Sequence, residues 1–127
     1  MNEVVLDASA LLVLINQEKG YQEVEESIAN SCMSTVNMAE VAAILTKIGF
    51  TIDEARETIT NIVNRIIEFD AKQACISASI YEKTKKFGLS LGDRACLSLG
   101  IDESLLILTA DKVWSKLSLG IEIKLIR

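Results

Sequence analysis

Short apolar runs alternate with longer helical patterns along the whole chain, and this alternation restricts the possible folds more than any other feature. "EVVLDA" (3–8) and "SLLILTA" (104–110) have the length and the branched side chains of buried strands. "CMST" (32–35) and "RIIEF" (65–69) are shorter strand candidates, and "IEIKLI" (121–126) alternates as an edge strand does. Strands separated by helices predict a three-layer α/β/α sandwich around a central, mainly parallel sheet.

Helical spacing recurs in the segments between these strands. After the first strand, "SALLVLIN" predicts a short helix with Ser9 as its cap. Thr51 and Glu54 match the capping box of another helix, and "DAKQACISASIYEKTKKFG" (70–88) predicts one long helix. Other helical stretches are "YQEVEESIANS", "VNMAEVAAILTKIG", "GDRACLSLG" and "DKVWSKLS". Because 127 residues fit one domain and no linker or repeat interrupts the pattern, we predict a single domain over residues 1–127.

The chain has no histidine, and this absence excludes several chemistries. His-based acid–base catalysis, a Ser-His-Asp triad and His-ligated zinc all require it. The cysteines Cys32, Cys75 and Cys96 form no CxxC pair, so we expect buried thiols in a reducing compartment. "MNEVVLDASALLVLI" has no basic leader, and Glu3 and Asp7 interrupt its apolar run, so we expect no signal peptide, no membrane span and a cytoplasmic location.

The formal net charge is −5, from 18 acidic and 13 basic residues. This balance argues against a general nucleic-acid binder, whose contact surface is usually basic. It is compatible with an enzyme that holds divalent cations among acidic side chains, because bound cations reverse the local charge.

Four acidic residues occupy positions where a carboxylate is unusual. Asp7 closes the strand in "VVLDAS" and Asp111 directly follows "LLILTA", so both should stand at the carboxyl edge of the sheet, where ligands of α/β proteins bind. Glu40 interrupts the apolar pattern of "VNMAEVAAIL", and Asp93 opens the helix in "LSLGDRACLSLG". Taken singly, each has a simpler interpretation as a helix cap, a surface residue, a salt-bridge partner or a partner of the helix dipole.

Taken together, the four acids suggest a cation site. Carboxylates gathered in one cleft repel one another and raise one another's pKa values unless a cation neutralises them. Ligation by oxygen alone favours Mg²⁺ or Mn²⁺ over zinc. Such an ion promotes hydrolysis of a phosphodiester, a reaction for which histidine is not required.

Four segments of the chain resemble the signature segments of PIN domains, and most closely those of VapC-type ribonuclease toxins from toxin–antitoxin pairs. They are "VVLDASALL", "STVNMAEVAAIL", "LSLGDRACLSLG" and "ILTADKVW", in the expected order over nearly the whole chain. The resemblance implies a central parallel sheet between helices and a Mg²⁺- or Mn²⁺-dependent endoribonuclease.

The resemblance also assigns roles to individual residues. Asp7, Glu40, Asp93 and Asp111 fall where the family's metal-binding catalytic acids stand, with Asp111 at the position that varies most. By the same match, Ser9 and Thr109 are hydroxyl residues that orient a carboxylate or a water beside the site. Asn37, one turn before Glu40, is a weaker candidate for such a supporting role, with a solvated side chain as the alternative.

Partners follow partly from the resemblance. It implies an RNA substrate, a small VapB-like antitoxin and a homodimer, without a membrane. Two alternatives remain open at the level of sequence. One is a non-catalytic module that uses the fold only to bind a partner. The other is a metal-dependent nuclease or phosphatase that acts on a different phosphoester.

The basic side chains do not define how RNA is recognised. For Arg94 we expect a surface salt bridge with a neighbouring acid, which contributes little to stability; a solvated side chain and an approach to the RNA backbone are the alternatives. "EKTKKFG" is the only dense basic strip, with Lys83, Lys85 and Lys86. Cations suit the C-terminal end of a helix dipole, so a solvated helix end explains this strip better than an RNA-binding site.

Overall fold

A computed structural model describes residues 2–127 and shows a central sheet of five parallel strands in the order β3-β2-β1-β4-β5. The predicted α/β fold is confirmed, with β5 at an edge as expected. The strands are β1 (Val4–Leu6), β2 (Ser31–Ser34), β3 (Arg65–Ile67), β4 (Leu106–Thr109) and β5 (Ile123–Leu125).

Seven α-helices within residues 2–127 connect the strands. They are α1 (Ala8–Ile15), α2 (Tyr21–Glu25), α3 (Thr35–Lys47), α4 (Ile52–Ile62), α5 (Ala71–Ser79), α6 (Tyr81–Lys85) and α7 (Leu91–Glu103). Short 3₁₀ helices cover Ile28–Asn30 and Lys112–Lys116. None of the helices in this range is long and apolar enough to cross a membrane.

Each face of the sheet carries its own hydrophobic core. Alternate residues of a strand point to opposite faces, and in β1 the side chains of Val4 and Leu6 pack with α1, α3 and α4, whereas Val5 packs with α7. β1 lies in the middle of the sheet and is buried throughout. The residue after it, Asp7, is therefore surrounded by structure on both sides.

Several local predictions need correction. Asp7, not Ser9, caps α1, because its carboxylate accepts the Ala10 N–H. The helix predicted over 70–88 is two helices, since Ile80 leaves helical geometry and packs into the core. The segment "YQEVEESIANS" likewise divides into α2 and a 3₁₀ turn, and "DKVWSKLS" forms only a 3₁₀ helix. Tertiary packing overrides helical spacing in these short segments. The capping box of Thr51 and Glu54 is confirmed.

The cysteines behave differently from one another. Cys32 and Cys96 are buried thiols, as expected, and none of the three forms a disulfide. Cys75 is exposed on α5, so the prediction that it is buried is wrong. Only one side of α5 packs against the rest of the protein, so small and apolar neighbours in the sequence are not enough to bury Cys75.

Candidate active site

Asp7 is a buried carboxylate held by hydrogen bonds from the start of α1 and from the end of β4. Its side chain follows β1 and the residue is 5% exposed. Oδ1 accepts the Ser9 hydroxyl at 2.7 Å and the Ala10 N–H at 2.8 Å. Oδ2 accepts the Thr109 hydroxyl, from the end of β4, at 2.5 Å. The orientation of the Asp7 carboxylate is therefore fixed before any ligand binds.

The electrostatic state of Asp7 is unusual. Burial raises its pKa to about 6, against the opposing effect of the hydrogen bonds from Thr109, Ser9 and Ala10. The negative charge of Asp93 raises the pKa further. The carboxylates of Asp7 and Asp93 thus lie close enough to interact, although 86 positions in the sequence numbering separate the two residues.

Ser9 and Thr109 join the ends of β1 and β4. The Ser9 hydroxyl accepts the Ala110 N–H at 2.9 Å, the Thr109 hydroxyl accepts the Asp111 N–H at 3.0 Å, and the two hydroxyl oxygens are 3.3 Å apart. Asp111 itself is exposed and uses Oδ1 to accept the Val113 N–H at 3.1 Å, as the cap of the 3₁₀ helix. The simpler interpretation of Asp111 as a cap therefore describes one of its two oxygens.

Glu40 reaches across from α3 to the start of α7. Its Oε1 accepts the Asn37 side-chain amide at 2.9 Å, and the same amide donates to the Gly92 carbonyl at 3.0 Å. A Cβ added to Gly92 would overlap the Glu40 carboxylate. Glycine at position 92 is therefore what allows this carboxylate to lie against the backbone of α7.

Asn37 is not the solvated polar residue of the alternative interpretation. It is 1% exposed, and its Oδ1 has no hydrogen-bond partner within residues 2–127. Its two amide donations place it between Glu40 and α7. This geometry agrees with a supporting role toward Glu40.

Asp93 belongs to a capping box at the start of α7. Its Oδ2 accepts the Ser90 N–H at 2.9 Å, and the Asp93 N–H donates to the Ser90 hydroxyl at 3.2 Å. Asp93 forms no salt bridge within the described chain. Of the simpler interpretations of Asp93, the helix cap is observed, and it leaves the second carboxylate oxygen available.

The buried thiol of Cys96 is influenced by three acids from distant parts of the sequence. Its pKa is raised well above its ordinary value by burial and then by the charges of Asp7, Asp93, Cys32 and Glu40. Across residues 2–127, however, no three Asp, Glu or Cys side chains are arranged closely enough to form a ready-made metal cage.

Arg94 does not form the expected surface salt bridge. Its guanidinium donates to the hydroxyl and the carbonyl of Ser77 on α5, at 3.1 and 3.4 Å, and lies 5.1 Å from the ring centroid of Tyr81. The packing of α5 and of the start of α6 against α7 supplies these partners in place of a carboxylate.

A cavity of about 870 Å³ lies away from Asp7, Glu40, Asp93 and Asp111, the four residues that we call the acidic centre. It is bounded by the amino ends of β1 and β4 and by the segment that leads into β5, with Glu3, Leu106 and Glu122 among its lining residues. The carboxylates occupy the opposite edge of the sheet, and the size of a cavity is therefore a poor guide to the site here.

A parallel sheet with acids from β1, α3, α7 and the end of β4 at its carboxyl edge defines a class of α/β protein built around an acidic centre. The chain belongs to the PIN domain family, whose family model matches residues 4–119.

The chain is similar to curated VapC proteins. It is 29% identical over 108 residues to ribonuclease VapC42 of Mycobacterium tuberculosis, with 76% of each chain covered. The same figures hold for VapC ribonuclease Mb2780c of Mycobacterium bovis.

Solved structures share the fold at lower identity. A DNA-bound VapBC structure from Salmonella typhimurium superposes with a TM-score of 0.75 at 14% identity, covering 100% of both chains. M. tuberculosis VapC20, described as a toxin that cleaves the sarcin–ricin loop, gives a TM-score of 0.71 at 11% identity, covering 90% of this chain and 94% of that one.

Sequence reasoning missed two residues that shape this site. Gly92 provides the space for the Glu40 carboxylate, and Cys96 is the buried thiol on which the charges of Asp7, Asp93 and Glu40 act. A signal for Gly92 was present, because glycine in the first turn of a helix is unfavourable without a reason such as a close approach. No signal in the sequence distinguishes Cys96 from an ordinary core thiol.

Proposed function

We propose that this chain is a divalent-cation-dependent endoribonuclease and the toxin of a VapBC-type toxin–antitoxin pair. The observation that carries this proposal is the position of the Glu40 carboxylate against Gly92, the residue before Asp93, while the charge of Asp93 acts on the buried carboxylate of Asp7. Family membership and the ribonuclease relatives support the same activity.

The donor set of the acidic centre suits Mg²⁺ or Mn²⁺. Carboxylate and hydroxyl oxygens are the ligands that these hard cations prefer. Asp7, Glu40 and Asp93 would hold the cation, and Asp111 would complete the site. When bound, the cation stabilises negative charge on phosphate oxygens and makes water more acidic.

The chain's own residues prepare this centre. Ser9 and Thr109 fix the Asp7 carboxylate, so that it needs little reorganisation when the substrate arrives. Asn37 fixes Glu40 in the same way and ties it to α7. Because the chain has no histidine, Asp and Glu carboxylates are the groups at the centre that can accept a proton from the attacking water near neutral pH.

An antitoxin partner is supported by an apolar surface next to the site-bearing helix α3. Ile44 of α3, Ile48 at its C-terminal cap and Ile52 of α4 are 42%, 65% and 65% exposed. By contrast, Val24 of the segment "YQEVEESIANS" is buried in the core. We assign the VapB-like partner to the surface of these three isoleucines, with a homodimer of this chain as the competing occupant.

Cation dependence gives a direct test of the activity. Incubation with total RNA and Mg²⁺ or Mn²⁺ should produce discrete cut ends, and chelation with EDTA should abolish them. The same preparation should leave DNA and phosphomonoesters intact. Cleavage that persists in EDTA, or faster hydrolysis of a phosphomonoester, would contradict the proposal.

Replacing Gly92 with alanine should separate activity from stability. The new methyl group overlaps the Glu40 carboxylate, which is the mobile end of a flexible side chain, so the carboxylate must move while the fold remains. We expect RNA cleavage to fall about 100-fold, because small displacements of a reacting group have effects of that size. Thermal unfolding should change little.

The exposed neighbour Leu91 provides the control for this variant. Leu91→Ala changes the same turn of α7 at a side chain that is 53% exposed, and it should leave cleavage unchanged. Equal activity of Gly92→Ala and the wild type would show that the position of Glu40 is unimportant.

A further inference from the structure

Of the 13 Lys and Arg side chains, six are paired with carboxylates within the described residues. The pairs are Arg56 with Asp53, Arg65 with Glu3 and Glu103, Lys72 with Asp102, Lys85 with Glu82, Lys124 with Glu23, and Arg127 with Glu18. Within residues 2–127 the cations without such a partner fall mainly in two segments, 83–94 and 112–116. A chain with a net charge of −5 has enough carboxylates to pair them, so their isolation in these segments is informative.

Three of these cations meet around one small pocket. Lys83 and Lys86 come from the end of α6 and Lys116 from the end of the 3₁₀ helix, and together with Phe87 and Ser118 they line a cavity of about 240 Å³. No carboxylate is among its lining residues within the described chain. The dense strip "EKTKKFG" thus divides, because Lys85 pairs with Glu82 while Lys83 and Lys86 face this pocket.

The helix dipole explains only part of this arrangement. Cations near the C-terminus of α6 are favourable on their own, which accounts for Lys83 and Lys86. Lys116 approaches from a separate segment, about 30 positions further along the sequence, and its charge adds repulsion. A group of like charges without a counter-charge becomes favourable when an anion enters.

Two chain segments line the pocket, and each of them continues to an acidic residue of the acidic centre. The chain runs from Lys86 through the turn at Gly88 into the capping box that contains Asp93. On the other side, Asp111 caps the 3₁₀ helix that ends at Lys116. The pocket and the carboxylates therefore lie at opposite ends of the same two segments.

We propose that this lysine pocket binds a backbone phosphate of the single-stranded RNA, at a distance from the phosphodiester that is cut. The inference rests on the proposed ribonuclease function and adds to it a substrate-positioning subsite. A volume of about 240 Å³ is below the usual range for whole small-molecule ligands, about 300–1,000 Å³, and suits a phosphate group. The Ser118 hydroxyl can donate to a phosphate oxygen.

An aromatic side chain completes the subsite. The Lys86 ammonium lies 5.2 Å from the ring centroid of Phe87, which restrains this lysine at the wall of the pocket. Basic grooves with interleaved aromatic rings are typical of proteins that bind single-stranded nucleic acid. Through this subsite an acidic protein binds RNA locally, so that a basic surface over the whole molecule is not needed.

The test compares two double variants of equal net charge. Lys86→Gln/Lys116→Gln removes two cations from the pocket, and Lys19→Gln/Lys47→Gln removes two cations that are also unpaired within residues 2–127 but lie elsewhere. Affinity for a fluorescent single-stranded oligoribonucleotide is measured in EDTA at several salt concentrations. We expect the pocket variant to bind about tenfold more weakly, with a salt slope smaller by about one, and the control to change less than twofold.

Cleavage measurements separate this inference from the proposed function. With Mg²⁺, the pocket variant should lose kcat/KM on long RNA while kcat at saturation is kept. If neither protein cleaves RNA but the binding difference is observed, the subsite stands and the ribonuclease assignment fails. Equal RNA affinity of the two variants overturns the subsite whatever the cleavage result. Loss of binding to an oligoglutamate peptide alone would assign the pocket to an acidic protein and would also overturn it.

Discussion

Asp93→Asn should abolish RNA cleavage, with a loss of about 1,000-fold or more, and leave the fold intact. Asparagine keeps an oxygen that can accept the Ser90 N–H, so the capping box at the start of α7 can persist. What is lost is one negative charge from the acidic centre. Each tenfold in rate corresponds to about 1.4 kcal/mol, and stabilisation of transition-state charge by a cation amounts to several kcal/mol.

Glu54→Gln is a closely matched control for this variant. Glu54 occupies the equivalent place in the capping box of α4, where its Oε1 accepts the Thr51 N–H at 2.8 Å, and it lies outside the acidic centre. Both substitutions remove a carboxylate from a helix N-terminus, so both should lower the free energy of unfolding by about 0.3–1 kcal/mol. Only Asp93→Asn should affect cleavage. An Asp93→Asn protein that cuts RNA at the wild-type rate would reduce Asp93 to a helix cap.

Asp7→Asn should also eliminate cleavage, but it should make the cation-free protein more stable at neutral pH. Burial raises the pKa of Asp7 from its ordinary value near 4 to about 6, so ionised Asp7 destabilises the fold. An uncharged asparagine removes this effect. A pKa difference of about two units corresponds to a gain on the order of 2–3 kcal/mol at pH 7.

The dependence on pH has a definite sign. Between about pH 4 and pH 6 the folded protein holds the Asp7 proton and the unfolded chain releases it. The contribution of Asp7 to stability is therefore complete below pH 4 and is lost as the pH rises through 6. Denaturant unfolding in EDTA, measured from pH 4 to pH 8, should show the advantage of Asp7→Asn over the wild type growing across this interval.

Asp70→Asn serves as the control for the stability measurement. Asp70 also caps a helix after a strand and accepts the N–H three residues later, at 2.9 Å, but it is exposed. Its replacement should give no stabilisation that grows with pH. A flat difference between Asp7→Asn and the wild type would mean that Asp7 ionises in the folded protein as easily as in water.

The strands and the positions of the acids relative to them were predictable from the sequence, since they depend on local patterns. A buried apolar run followed by Asp places the carboxylate at the sheet edge, as in "VVLDA" and "ILTAD". The hydroxyls of Ser9 and Thr109 beside Asp7 were anticipated through the family resemblance. The roles in catalysis that this resemblance implies stay predictions.

Features that depend on the packing of distant helices were not predictable. Arg94 has no carboxylate partner because α5 offers it the hydroxyl of Ser77 and α6 offers it the ring of Tyr81. Asn37 is buried because α7 passes over it, and Lys116 joins Lys83 and Lys86 only in the folded chain. No window of sequence contains both partners of any of these contacts.

The hydrogen bond between Asp7 and Thr109 spans 102 positions of sequence, and it has a consequence for biosynthesis. During translation, Asp7 leaves the ribosome long before β4 does. β1 cannot pair with β4 until that later segment has been synthesised. A nascent chain that already carries Asp7, Glu40 and Asp93 still lacks the hydroxyl that orients the first of them. The environment of the Asp7 carboxylate is therefore incomplete until the segment around residue 109 has emerged from the ribosome.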